Sequence, residues 1–370
     1  MVARRSSRRL ALALLTAALP TTAAPVSAHA DTTAAPTPIP VTRVAGSDRI
    51  ATSIAVSQRR FPQPFTTVDP QRRAVVARSD GYADALAGAP LANEYGPLLL
   101  TPGQRLDERV ATELRRVLPA GSTVYLLGTS DVMSGAVETA LTSMGYVVVR
   151  LGGVDRYATA ARVAEEVVAS SPDEVTCAYV LATGRDFPDA VVAAGLTSTT
   201  QPLLYTDGTT LPAATLTEIN RCATARSSNP GTGATSTDVI AVGGPAAAAV
   251  TGRVAGVRGL LKVTQSAVGA DRYETSTAAG PRYSPYAETP PIAVATGTDY
   301  ADALLAATIG GGLGYAQTVL VRPNALPSSV RDFLVANRAA QGQRWGQAFI
   351  VGGPNAVSDD VLRQVEAAVN

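Results

Sequence analysis

The sequence predicts an α/β fold made of three tandem modules, each a mainly parallel sheet flanked by helices. Three observations carry this. The first is repetition: Gly46-Ser47-Asp48-Arg49-Ile50-Ala51-Thr52 recurs as Gly153-Val154-Asp155-Arg156-Tyr157-Ala158-Thr159 and as Gly269-Ala270-Asp271-Arg272-Tyr273-Glu274-Thr275. The arginines are 107 and 116 residues apart. The second is that two more motifs follow in the same order in each copy. One is an aromatic-x-Asp-Ala (Tyr82 to Ala85, Phe187 to Ala190, Tyr300 to Ala303), and the other an apolar run ending at Gly128, Gly243 or Gly352. Units of about 110 residues are domain-sized and too long for a solenoid repeat. The third is that the apolar runs are short and unbroken, as in strands covered on both faces of a parallel sheet.

The elements follow in order. Residues 1–30 read as a secretory signal peptide. Arg4, Arg5, Arg8 and Arg9 form a basic start, Leu10 to Leu19 an apolar core, and Ala28-His29-Ala30 a cleavage site. Ser7-Arg8-Arg9 leaves the twin-arginine export route open beside the general one. Residues 31–42, rich in Thr, Ala and Pro, read as a linker. The repeats then occupy 43–148, 149–264 and 265–370. In copy two, Ala160, Val163 and Val167 share one helical face between Arg156 and Val168. Ala178 to Ala182, Pro202 to Tyr205 and Val239 to Val242 read as strands, with helices at Asp189 to Thr197 and Ala213 to Ala223. Val147 to Leu151 is the strand that leads into this copy. Right-handed crossovers would set every strand-to-helix turn on one edge of the sheet. Ser227 to Thr237 is a polar insertion in copy two only. Ala303 to Val321, 19 residues without a charge, has the length of a membrane span. Four glycines interrupt it, and the repeat alignment makes it a helix followed by a buried strand.

Composition narrows the function. With 46% hydrophobic and 16% charged residues, the chain has enough apolar matter to fold along its length. The net charge of +1, with no basic segment beyond the signal, argues against a nucleic-acid partner. Removing residues 1–30 removes four arginines and the only histidine, His29, and leaves a net charge of −3. Without histidine, Ser-His-Asp and Cys-His catalysis and imidazole-held zinc are excluded. No catalytic residue, metal ligand or cofactor is assigned, and no membrane span is expected after signal cleavage. Cys177 would start a strand and Cys222 would end a helix, two positions that meet on one face of such a sheet. A structural disulfide suits an oxidising exterior, and two free buried thiols are the alternative.

Each motif has a structural and a functional reading. Asp48, Asp155 and Asp271 follow a turn and open a helix, where a carboxylate caps the free backbone N–H groups. The arginine after each one is unfavourable to the helix dipole, so Arg49, Arg156 and Arg272 need a partner: an acid on a neighbouring copy, or an anionic ligand. Asp84, Asp189 and Asp302 begin the next helix, as caps or as acceptors for sugar hydroxyls. Tyr82, Phe187 and Tyr300, two residues earlier, can stack on a sugar ring or pack beneath the turn. All these positions fall at the carboxyl ends of strands, where open α/β sheets bind ligands.

These motifs, with Pro97-Leu98-Leu99-Leu100-Thr101 and Gly243-Gly244-Pro245, resemble the cell wall binding repeat 2 family in three tandem copies. The likeness covers essentially all of the chain beyond the linker. It implies a Toprim-like fold for each module and a pseudo-threefold triangle of modules. It further implies a secreted, non-enzymatic protein of a bacterial cell wall or surface, attached noncovalently to an anionic wall polysaccharide or to peptidoglycan near the module interfaces. The ligand-binding set would be Asp48, Arg49, Asp155, Arg156, Asp271, Arg272, Tyr82, Asp84, Phe187, Asp189, Tyr300 and Asp302. Copy one departs from the pattern at Ile50, at Arg78-Ser79 and at Gly128-Thr129-Ser130, and copy three at Thr318 and Arg322, so the three sites are not expected to be equivalent. Two other function classes stay open: a regulator or assembly partner of wall hydrolases or surface-layer proteins, and a carboxylate- or metal-dependent hydrolase.

Overall fold

From Val41 onward, helix and strand alternate. The first repeat runs β1 (Val41–Val44), α1 (Arg49–Arg60), β2 (Arg73–Arg78), α2 (Ala83–Ala92), β3 (Leu98–Thr101), α3 (Glu108–Val117), β4 (Thr123–Leu127) and α4 (Gly135–Ser143). The second runs β5 (Val147–Leu151), α5 (Arg156–Ala169), β6 (Ala178–Thr183), α6 (Pro188–Leu196), β7 (Leu203–Thr206), α7 (Ala213–Ser227), β8 (Ser236–Val242) and α8 (Gly244–Ala249). The third runs β9 (Leu260–Ala267), α9 (Arg272–Ala278), β10 (Ile292–Thr296), α10 (Tyr300–Thr308), β11 (Gln317–Val321), α11 (Ser328–Ala336), β12 (Ala348–Val351) and α12 (Asp359–Val369). This computed structural model describes residues 38–92, 95–169, 177–227, 236–252, 254–280, 291–310, 316–338 and 345–370. The signal-peptide segment, most of the linker and most of the polar insertion lie outside the described residues.

The copy-two elements match the apolar pattern closely. α7 runs on to Ser227 and β8 begins at Ser236, because the polar residues at those ends carry no periodic signal. The uncharged stretch from Ala303 belongs to α10 and then β11, and no described helix is long and apolar enough to cross a membrane.

Three four-stranded parallel sheets result, ordered β3-β2-β4-β5, β7-β6-β8-β9 and β11-β10-β12-β1. The strand that opens each repeat completes the sheet of the repeat before it: β5 lies on β4, β9 on β8, and β1 on β12. The last sheet is therefore closed by the start of the chain. Val41 and Thr42, expected in the linker, are strand residues for this reason. The two ends are tied further, since the Ile39 N–H donates to Asn370 Oδ1 at 2.7 Å. In the first two sheets the chain leaves β2 and β6 one way and β4 and β8 the other, which creates a switch point between them, and β10 and β12 take the same places in the third sheet.

α2, α6 and α10 pack against one another. They are built largely of Ala and Leu and are buried almost all round, and one core joins Leu86 and Leu91, Val191 and Ala194, and Leu304 and Leu305 across the modules. Each fully buried Leu or Val contributes about 1.5–3 kcal/mol. An exposed ion pair contributes about 0–1 kcal/mol. Apolar burial therefore holds the modules together.

Cys177, just before β6, is bonded to Cys222 in α7, with Cα atoms 5.7 Å apart. Closing a loop of this length (separation 45) is worth about 4 kcal/mol in the chain-entropy account. Replacing both cysteines by serine should lower unfolding stability by about 2–4 kcal/mol in urea titrations. Reductant should do the same to the wild type and nothing to the variant.

Candidate functional site

The turn opening each repeat is built from its own side chains. Asp48 accepts from the Ala51 N–H at 2.7 Å, Asp155 from the Ala158 N–H at 2.7 Å, and Asp271 from the Tyr273 and Glu274 N–H groups at 2.9 Å. The motif threonine closes the turn, with Thr52, Thr159 and Thr275 accepting from the N–H of Gly46, Gly153 and Gly269. Burial pushes the Asp48 carboxyl up, but the Ala51 N–H and the Arg109 guanidinium outweigh it and the net shift is down.

The three motif arginines lock one repeat to the next. Each donates to the backbone carbonyl at the end of its own repeat's second strand: Arg49 to Ser79 at 2.9 Å, Arg156 to Gly184, and Arg272 to Gly297 at 2.6 Å. Each also lies over the aromatic ring of the preceding repeat, Arg49 on Tyr300, Arg156 on Tyr82 and Arg272 on Phe187, 5.1, 5.4 and 5.6 Å from the ring centroids. Arg49 and Arg156 donate to the hydroxyls of Tyr300 and Tyr82. Those hydroxyls in turn donate to the carbonyls of Ser79 and Gly184. Phe187 has no hydroxyl, so this junction lacks the corresponding bonds. Tyr82, Phe187 and Tyr300 meet in pairs, with centroids 5.8 to 6.4 Å apart.

Acids on the preceding copy lie near two of the arginines, Asp299 at 3.6 Å from Arg49 and Asp186 at 4.0 Å from Arg272. Gly81 stands at the matching position before Arg156. Both pairs are half-exposed and weak.

Between modules, at the strands' carboxyl ends, the lock leaves clefts. The one after module one, about 640 Å³, is lined by Asp84, Thr129, Asp131, Asp155, Arg156 and Thr159, among others. A second, about 330 Å³, is lined by Asp186, Asp189, Gly244, Asp271, Arg272 and Thr275 after module two. Asp84, Asp189 and Asp302 lie in the first turns of α2, α6 and α10, beside the switch points. Asp302 is not the cap of α10, which is Asp299, accepting from the Ala301 N–H at 2.8 Å, and α6 has no side-chain cap at all. The later aspartate points instead toward the glycine that follows the last strand of the repeat, so closely that a Cβ at Gly243 would collide with Asp189.

Burial raises all three carboxyls. Thr159, Arg78 and Arg156 oppose it at Asp84. Asp186 adds to it at Asp189, where Arg272 opposes. Asp299 adds to it at Asp302, where Arg49 and Thr52 oppose. No group of three or more metal-ligating side chains occurs among the described residues.

The arginines and aromatics form the junctions, and Arg156, Arg272 and the three aromatic rings also border the clefts. Of the expected aspartates, Asp84, Asp155, Asp189 and Asp271 line the two clefts, whereas Asp48 pairs with Arg109. Sequence reasoning missed the carbonyls of Ser79, Gly184 and Gly297, since a backbone acceptor leaves no mark in residue identity. It also missed Thr52, Thr159 and Thr275, although their recurrence in all three motifs was a usable signal.

Fold and clefts together define a modular α/β protein whose recesses lie between repeats. The chain belongs to the cell wall binding domain 2 (CWB2) family, whose model matches residues 43–138, 150–250 and 267–362. It is 30% identical over 176 residues to the N-acetylmuramoyl-L-alanine amidase LytC of Bacillus subtilis strain 168, covering 47% of this chain and 33% of that protein. Among solved structures it is similar to Cwp6 from Clostridium difficile, with a TM-score of 0.69 at 19% identity, covering 90% of this chain and 48% of that one. For Cwp8 from the same organism the TM-score is 0.66 at 20% identity, covering 89% and 52%. The chain spans a third of the amidase and about half of the two Cwp proteins. The likeness to the Cwp structures is one of fold, and the family places this chain among cell-wall-binding proteins.

Two outcomes are expected here. Arg156→Ala removes one of the two donors to the Gly184 carbonyl and empties the Tyr82 ring face, and should cost about 1–2 kcal/mol in urea unfolding. Arg156→Lys should recover less than half of that, because one ammonium cannot cover both partners. The second outcome concerns pH. Asp84, Asp189 and Asp302 have folded-state pKa values above the unfolded value, near 3.9. Their contribution to stability is fully present below that value and is lost as pH rises through the raised ones. Converting all three to Asn should therefore stabilise the protein more at pH 7 than at pH 4. An equal effect at both pH values would contradict the raised shifts.

Proposed function

We propose that this chain is a secreted protein that attaches noncovalently to an anionic cell-wall polysaccharide through the clefts between its modules. The observation that carries this is one cleft chemistry recurring at two module boundaries, at the carboxyl ends of parallel strands, in a chain of the CWB2 family. In the first cleft, Asp84 and Asp155 accept hydrogen bonds from sugar hydroxyls, while Thr129 and Thr159 can donate or accept. Arg156 and Arg272 have donors committed to the neighbouring strand end. They meet a polymer's anionic groups with the charge left at the cleft mouth rather than with a free bidentate fork. Several weak sites on one rigid frame hold an extended polymer with more avidity than any site alone.

The role is binding rather than catalysis. After Ala30 the sequence has no histidine, and among the described residues no three His, Cys, Asp or Glu side chains come together as a metal-ligating group. Residues 1–30, with the pattern of an export signal, agree with a place on the bacterial wall.

Sedimentation with purified walls tests this. Binding should fall when the anionic polymers are stripped from the peptidoglycan, and should weaken as salt rises. Asp84→Ala combined with Asp189→Ala should reduce it about tenfold, the scale of one lost charged hydrogen bond. Binding unchanged on stripped walls would redirect the reading to peptidoglycan, and no binding to either preparation would refute it.

A further inference from the structure

The last two helices of modules one and three, α3 with α4 and α11 with α12, form pairs that differ in one respect. α11 and α12 pack against one another. α3 and α4 leave between them a groove of about 580 Å³, lined by Arg105, Leu106, Ala111, Arg115, Ala140 and Met144, among others. No residue of this groove lines either inter-module cleft.

The buried faces bring the two pairs into register. Val110 and Leu114 of α3 match Val330 and Leu334 of α11, and Val137 and Leu141 of α4 match Val361 and Val365 of α12. In that register Ala325 and Val335 stand where module one has Arg105 and Arg115. Asp360 and Gln364 stand where it has Ala136 and Ala140. The helix pair therefore folds without cations at the first two places and without small residues at the other two.

The same two arginines are the exceptions of their module. Every other arginine from Arg43 to Arg116 has a hydrogen bond, an ion pair or an aromatic ring. Arg105 and Arg115 are exposed and, among the described residues, form no ion pair and donate no side-chain hydrogen bond. The Asp107 carboxylate lies near Arg105, but Arg109 holds both of its oxygens at 3.0 Å. Arg105 also precedes α3, at the positive end of the helix dipole, where a cation is disfavoured. Glu108 is the one carboxylate of the groove lining, so the cations outnumber it.

α3 rises about 1.5 Å per residue, which sets the two arginines about 10–15 Å apart along the groove. Between them Leu106, Ala111, Ala136, Ala140 and Met144 form a floor without N–H or O–H side chains. Sugar rings or peptide groups laid on it would leave hydroxyls or amides unpaired. A chain whose polar atoms are confined to its charged groups would not.

We propose that this groove binds a linear phosphodiester chain. Arg105 and Arg115 each hold a phosphate, and the carbon spacers between lie on the alanine floor. The site is separate from the clefts and does not depend on the function proposed for them.

The probe is a fluorescently labelled propanediol phosphate oligomer, titrated with the purified full chain and followed by anisotropy. Saturable binding that weakens as salt rises is expected. Arg105→Ala and Arg115→Ala should each weaken it about fivefold and the double variant about twentyfold, all with unfolding midpoints near that of the wild type. Ala136→Asp, which places in the groove the acid that module three has at Asp360, should weaken it as much as the double variant. Arg162→Ala removes the same charge from an exposed position in α5 and should leave the affinity unchanged. Absence of saturable binding, or a loss with Arg162→Ala equal to that with Arg105→Ala, overturns the proposal. So does polyglutamate of equal charge binding as tightly as the oligomer. Asp84→Ala combined with Asp189→Ala, which tests the clefts, should leave oligomer binding intact. Oligomer binding lost in the groove variants and kept in the cleft variants supports the site whatever wall sedimentation gives, so the two readings fail separately.

Discussion

An arginine held between a strand-end carbonyl of its own repeat and an aromatic ring of the repeat before is the contact on which the arrangement of modules depends. It occurs three times, at Arg49, Arg156 and Arg272. A first-turn arginine works against the helix dipole. The carbonyl, which carries partial negative charge, and the ring face, which is electron-rich, compensate for that here. Apolar burial among α2, α6 and α10 supplies most of the adhesion, but it is non-directional. The arginine contacts set the angular relation between neighbours, and the clefts lie where those neighbours meet.

Three aspartates at the switch points oppose stability. Asp84, Asp189 and Asp302 sit half-buried with raised pKa values, close to the glycine that follows the last strand of their repeat. In α10 the capping falls to Asp299 instead, and α6 has no side-chain cap. Recurrence of a half-buried carboxylate at the same place in all three repeats is the feature on which the proposed binding role rests.

Module two diverges most from the repeat pattern. The helix after its last strand, α8, has 6 residues, against 9 in α4 and 11 in α12. It also carries the disulfide, at Cys177 and Cys222, with a stabilisation of about 4 kcal/mol.

The repeats, their α/β character and most of their elements were legible in the sequence, because short apolar runs and recurrent Gly-x-Asp-Arg turns are local signals. So was the placing of Asp84, Asp155 and Asp189 at strand ends, since any parallel sheet with right-handed crossovers exposes those turns on one edge. The tertiary structure alone decided that β1, β5 and β9 belong to the preceding sheet, since strand pairing is a long-range choice that local periodicity does not encode. It alone gave Arg156 the Tyr82 ring as a partner and brought that arginine to the cleft that holds Asp84. The Gly184 carbonyl lies in the arginine's own repeat, but the ring and the carboxylate come from the repeat before, and they reach it only after two modules have come together.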